Sequence, residues 1–216
     1  MLEKMGDFFD RRLEGYEEHQ LSCIESARAF YPFTAACLPV APGARILDLG
    51  CGTGLELEAY FRLNPSAHVT GIDLASGMLN VLRKKFPDKA LTLIQGSYCD
   101  VSFPADAFDA AVSVESLHHF TQDEKLPLYR RLHRALKAGG FFILTDYFAE
   151  TDEQERFFRE ELLRLKRAQG ITDDEWYHFD TPLTVAHETQ ALLAAGFSSV
   201  ETLGQWGATH TLMAVK

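Results

Sequence analysis

Positive charge is scarce in this sequence. Lys and Arg number 21 against 31 Asp and Glu, a formal net charge of −10 over 216 residues. A surface that grips a phosphate backbone carries a basic footprint. The two densest basic stretches, 83–85 and 130–134, read instead as solvated helix faces, so nucleic acid is not the expected partner. Cysteine is sparse as well. Cys23, Cys37, Cys51 and Cys99 form no CxxC pair and no zinc spacing, so reduced, mostly buried thiols and no metal are expected. No apolar run reaches the roughly 20 residues of a membrane span, and residues 1–12 lack the apolar centre of a secretion signal. The expected location is the cytoplasm, away from membranes.

What is present is a rhythm. Short apolar runs at 45–49, 68–73, 91–94, 108–114 and 141–144 alternate with amphipathic stretches at 55–62, 77–86 and 124–137. Ser76 is placed to cap the second of these helices, and Gly139-Gly140 to end the third. Strand–helix alternation implies right-handed βαβ crossovers and a mainly parallel sheet covered on both faces. The tail departs from it. A helix over 185–195 precedes two strands, 199–203 and 209–215, joined by Gly204-Gln205-Trp206-Gly207 as an antiparallel hairpin. The expected class is therefore α/β, a doubly wound seven-stranded sheet with a C-terminal antiparallel hairpin.

One domain is expected, its core over 41–146. Residues 1–40 and 147–183 fall outside the rhythm. In the latter, Phe158, Leu162 and Leu165 follow helical spacing. Either this material is extra packing or it caps a crevice beyond the carboxyl ends of the strands, where open α/β sheets bind ligands. The cap is the preferred reading, so both segments are expected to form a helical lid.

The most informative stretch is Ile46-Leu47-Asp48-Leu49-Gly50-Cys51-Gly52-Thr53-Gly54. A glycine-rich turn between strand and helix lets backbone approach a ligand and aims free N–H groups at it. The dinucleotide fingerprint GxGxxG needs a glycine where Leu55 stands, and no Walker lysine follows. The pattern instead resembles the class I S-adenosylmethionine-dependent methyltransferases, whose first motif is D/E-x-G-x-G-x-G. Further matches follow in order: Asp73 closing the second strand, Gln95-Gly96-Ser97-Tyr98-Cys99-Asp100, Phe108-Asp109-Ala110-Ala111-Val112-Ser113 and Leu136-Lys137-Ala138-Gly139-Gly140.

This resemblance implies a Rossmann-like methyltransferase fold with S-adenosylmethionine as cofactor and S-adenosylhomocysteine as product. It assigns the cofactor's methionine part to Gly50, Cys51 and Gly52, with Asp48 adding negative charge nearby. Asp73 binds the ribose hydroxyls, Leu74 and Met78 pack on adenosine, and Gly96, Ser97 and Tyr98 lie at the adenine. Ser97 stands where many relatives carry an aspartate. Tyr16 is carried over to the methionine carboxylate, and Val114 and Glu115 to the cofactor side of the fourth strand.

Methyl transfer is an in-line displacement that needs alignment and exclusion of water above all. After the fourth strand comes Val114-Glu115-Ser116-Leu117-His118-His119-Phe120, similar to small-molecule methyltransferases of the ubiquinone-biosynthesis-like group. The N/D-P-P-Y/F motif of enzymes acting on nucleobase amines is absent. A small-molecule acceptor follows. The catalytic candidates are His118, His119 and Asp146, with at most one of the two histidines expected to reach the acceptor and a bracing role open to either. His178, His187 and His210 are expected to be structural. Two other readings stand beside this one: a cofactor-binding protein without catalysis, and a nicotinamide-dependent oxidoreductase. A homodimer is left open.

Overall fold

The structure is a computed structural model that describes residues 1–173 and 175–216. Its strands are β1 (Arg45–Leu49), β2 (His68–Asp73), β3 (Ala90–Gln95), β4 (Phe108–Val114), β5 (Leu136–Tyr147), β6 (Ser199–Trp206) and β7 (Thr209–Val215). They form one sheet in the order β3-β2-β1-β4-β5-β7-β6, parallel from β3 to β5, with β7 antiparallel to both β5 and β6. The expected architecture is thus observed. The strand order reverses between β1 and β4, which opens a crevice at the carboxyl ends of those strands.

The helices are α1 (Met5–Arg11), α2 (Tyr16–Cys23), α3 (Ala27–Ala36), α4 (Leu55–Leu63), α5 (Ser76–Lys85), α6 (Gln122–Ala135), α7 (Asp152–Ala168) and α8 (Val185–Ala194). The two faces of the sheet bury separate cores, so β1 and β4 are apolar almost throughout. Ile46, Ala110 and Val112 join Phe30 of α3 and Leu57 and Tyr60 of α4 in one cluster. Leu47, Leu49 and Ala111 join Leu128, Tyr129 and Leu132 of α6 and Leu192 of α8 in the other. Lys125 and Tyr129 of α6 both donate to the buried Glu188 of α8, which satisfies a carboxylate that burial would otherwise penalise.

Several local expectations are corrected. α6 ends at Ala135, and residues 136–140 open β5 instead of closing the helix. The cause is pairing: Leu136 sits opposite Phe108, and Ala107 N donates to the carbonyl of Ala135. β6 runs on to Trp206, so the reversal lies at Gly207-Ala208. Ser76 does not cap α5. Asp10 of α1 accepts from Gly77 N at 2.9 Å and Asp73 accepts from Ala75 N at 2.8 Å. Only Cys51 is buried among the cysteines; Cys37 and Cys99 are half-buried and Cys23 is exposed.

The two segments outside the rhythm behave unlike each other. α3 is core: Phe30 and Ala35 are wholly buried. α1 and α2 lie over the carboxyl end of the sheet, joined to residues 176–178 by Met5 N to Trp176 O and His178 N to Glu3 O. α7 buries none of its side chains fully. No helix among the described residues is long and apolar enough to cross a membrane.

Candidate active site

The loop after β1 is held by its own backbone. Gly50 N and Cys51 N both donate to the carbonyl of Ile72 at the end of β2, which pulls the chain into a tight bend. Gly50, Gly52 and Gly54 take positive φ of 73°, 48° and 74°, a region costly for residues with a Cβ. At Gly50 the constraint is steric too, because a Cβ there would collide with the Ser116 side chain. Asp73 completes the bend, accepting from Gly52 N at 2.9 Å while its other oxygen serves Ala75.

These groups bound an inner crevice of about 40 Å³, lined by Tyr16, Gly50, Gly52, Asp73, Leu74, Met78, Tyr98, Val114, Glu115 and His119, with Met5, Phe9 and Ser116. Four residues assigned to it by sequence do not line it. Cys51 turns its thiol against Gly71 of β2, where a Cβ would sit 2.7 Å from the sulfur. Ser97 accepts from Cys99 N, and Gly96 donates its N–H to the Asp73 carbonyl. Asp48 is buried beneath the bend, and its Oδ2, like Oε1 of the equally buried Glu56, has no hydrogen-bond partner. Burial, then the neighbouring Glu56, pushes the Asp48 carboxyl well above its usual range. Burial also raises Glu56, against the bond to Asp48.

A larger cavity of about 860 Å³ adjoins the crevice and shares Phe9, Tyr16, Glu115 and His119 with it. Its floor is a single 3-10 turn, Leu117–His119. Asp146, at the end of β5 and fully buried, anchors that turn by accepting from Leu117 N at 2.8 Å and from His118 Nδ1 at 2.5 Å. Asp146 itself lines neither space.

The sequence reading places at most one histidine at the acceptor; the structure brings both to this space. Both rings wall the cavity, their centroids 4.1 Å apart. Adjacent side chains diverge by about 180° on a strand, but a 3-10 turn with three residues per revolution separates them by only about 120°. The two rings then carry different charge. Burial opposes the His118 imidazolium, but Asp146 and Asp180 outweigh it and raise the ring to about 9. Burial and the charge on His118 lower His119. Burial, followed by the charge on Asp146, lifts Glu115 to about 7.

Sequence reasoning missed most of this wall. His178, expected to be structural, stacks on Phe8 at 3.5 Å and lies 4.8 Å from the His119 ring. Burial, then His119, lowers it to about 4. Asp180 reaches both histidines of the turn, and Trp206 closes the hairpin side. Among the described residues of 147–183, only Tyr147, His178 and Asp180 line the cavity; α7 does not. The Phe8-Phe9 pair in a short helix otherwise apolar only at Met5 was the one local signal available.

Residues 46–140 match the family described as "Methyltransferase domain". The chain is 28% identical over 202 residues to a sterol 24-C-methyltransferase of Gibberella zeae, covering 89% of this chain and 46% of that protein. It is 34% identical over 126 residues to the ubiquinone/menaquinone biosynthesis C-methyltransferase UbiE of Vibrio parahaemolyticus, covering 56% and 48%. The chain thus spans about half the length of the curated relatives it matches. Among solved structures, an S-adenosylmethionine-dependent methyltransferase of Mesorhizobium loti superposes with a TM-score of 0.61 at 25% identity, over 86% of this chain and 96% of that one.

Proposed function

We propose that the chain, which matches a methyltransferase domain over residues 46–140, is an S-adenosylmethionine-dependent methyltransferase and transfers the cofactor's methyl group to an oxygen, nitrogen or carbon atom of a small metabolite. The observation that carries this is the junction of two spaces. A glycine-walled crevice at the switch point of the sheet opens, past Tyr16 and His119, into a cavity of about 860 Å³, ample for a small acceptor.

The residues of the crevice fit the cofactor. Gly52 keeps clear the space that a Cβ would fill, Gly50 lets the bend pack against Ser116, and Asp73 presents a carboxylate suited to a vicinal diol. Leu74 and Met78 supply apolar surface for the adenosine. The unpartnered oxygens of Asp48 and Glu56 lie under the loop, where the ionised carboxylates favour a cationic group above it. The crevice's 40 Å³ is smaller than the molecule, so binding requires the α1–α2 cover to shift outward, Met5, Phe9 and Tyr16 with it. Residues 1–26 and 176–183 act as that cover, and α3 belongs to the core. Bound there, S-adenosylmethionine supplies an electrophilic methyl on a sulfonium.

The chain's own part is alignment. Asp146 orients His118, and the lowered His119 presents an uncharged ring at the junction, able to bind the acceptor or take its proton. The oxidoreductase reading has no support in this geometry. Titration calorimetry with S-adenosylhomocysteine and with NAD, followed by incubation with methyl-labelled cofactor and a metabolite panel, tests the proposal. Binding of the first and label transfer are expected; binding of NAD alone overturns it.

A further inference from the structure

Asp180 makes a contact that the arrangement above leaves unexplained. A single oxygen, Oδ1, faces His119 Nδ1 at 3.1 Å and His118 Nε2 at 3.7 Å. Neither approach is a hydrogen bond. His119 Nδ1 is buried with no partner, although its residue is only 8% exposed. Three potential donor atoms thus converge, all within 4.8 Å of one another, on a point none of them occupies.

We propose that His118, His119 and Asp180 form a binding site for a divalent first-row transition cation at the floor of the outer cavity. The spacing suits one. Ligands bound at about 2.0–2.2 Å stand roughly 2.8–3.6 Å apart in octahedral or tetrahedral shells; the 3.1 Å separation lies inside that range and the 3.7 Å separation just above it. The donor set suits it as well: two imidazoles and one carboxylate select such a cation over calcium or magnesium, which take oxygen ligands.

The support behind the ligands is the strongest part of the case. A metal-bound histidine typically donates its other ring N–H to a carboxylate, which fixes the tautomer and the ring plane. Asp146 does this for His118, accepting Nδ1–H at 2.5 Å and leaving Nε2, whose proton the cation displaces, to face Asp180. Asp146 is in turn fixed by Leu117 N and Tyr147 N, so it orients rather than ligates. The third ligand is also tied in place, because Thr181 N donates to the His118 carbonyl at 2.7 Å and brings Asp180 over the turn. Three protein ligands leave positions open. All three line the outer cavity, so water or acceptor oxygens complete the shell. The site deepens the methyl-transfer reading by giving the acceptor an electrophilic anchor, but it stands or falls without it.

The test is titration of the metal-free protein with cobalt(II) chloride, followed by visible absorption, without S-adenosylmethionine. Saturation at one equivalent is expected, with visible d–d bands distinct from those of aqueous cobalt(II). Asp180→Ala, on a half-exposed loop, should abolish the bands or weaken affinity at least tenfold, with melting temperature and S-adenosylhomocysteine affinity unchanged. Asp146→Asn should weaken cobalt affinity ten- to a hundredfold, and His118→Ala should remove the bands. Absence of bands in the wild type, or the same spectrum and affinity in Asp180→Ala, overturns the site. Neither result bears on the cofactor, whose binding is measured separately.

Discussion

Gly50, Gly52 and Asp73 stand at the ends of two adjacent parallel strands, and the bonds that shape their bend are made within residues 50–54 and from them to residues 72–75. The outer cavity has no such economy. Its walls come from α1 and α2, the turn after β4, the end of β5, residues 178–180 and the tip of the β6–β7 hairpin. The contrast separates a site determined by backbone from one determined by side chains. Where backbone N–H groups and positive φ define the surface, little can vary without loss of the bend. Where distant side chains meet over a scaffold, each can change with little effect on the fold, which is how one fold accommodates many acceptors.

The sharpest way to break the contrast is at Gly50. A Cβ there meets Ser116 and also strains a residue at φ 73°. Strain of about 1–3 kcal/mol and overpacking of similar size add, so Gly50→Ala is expected to lower stability by roughly 2–6 kcal/mol and to abolish S-adenosylhomocysteine binding. Chemical denaturation and calorimetry read the two effects. A variant that melts normally and binds normally removes the backbone argument.

Asp73→Ala comes next. It removes the acceptor of Gly52 N and Ala75 N together with the proposed ribose contact. At about 1.5–3 kcal/mol for each hydrogen bond to a charged group, cofactor affinity should fall at least tenfold and as much as several hundredfold. Unchanged affinity excludes Asp73 from the site.

Asp48→Asn sharpens the comparison from beneath the loop. The folded-state pKa of Asp48 is raised by burial. Wild-type stability from this group is therefore complete below the ordinary aspartate range and is lost as pH climbs through the raised value. Asparagine does not titrate. The variant should melt a few degrees higher at pH 8, the shift of about 1 kcal/mol in a chain of this length, and the gain should vanish near pH 4. Its cofactor affinity should fall at pH 8, where the wild-type carboxyl is ionised, and stay unchanged near pH 4, where it is already neutral. A gain in stability that does not depend on pH contradicts the burial argument.

The same division explains what could be read in advance. The bend, Asp73 and the strand order were legible because glycine spacing, an acidic strand end and alternating apolar runs are local signals. The expectation at Cys51 failed because a period-two alternation through the bend, which sends its thiol toward Gly71, depends on φ values that no spacing encodes. The histidine pair was illegible for the same reason: one 3-10 turn, secured by Asp146 from 28 residues away, aims both rings into the cavity. His178 and Asp180 gave no local sign at all. Their role arises from a loop laid across α1 and the turn, and such pairings are set by tertiary contact.

The mildest perturbation tests the division from the outer side. Phe8 is half-buried on α1, stacked on His178, and carries the Arg12 guanidinium 3.7 Å over its ring. Phe8→Ala removes an aromatic pair worth about 0.5–1.5 kcal/mol, and the chain should still fold, with a melting temperature within a few degrees of wild type. His178 then loses its restraint, so the cavity wall loosens while Gly50, Gly52 and Asp73 keep their bonds. Turnover of the acceptor should fall up to about tenfold, mainly through KM, and the affinity for S-adenosylhomocysteine should stay within a factor of about two. Should cofactor affinity fall in step with turnover, α1 is part of the cofactor site itself, and the crevice and the cavity have to be treated as one.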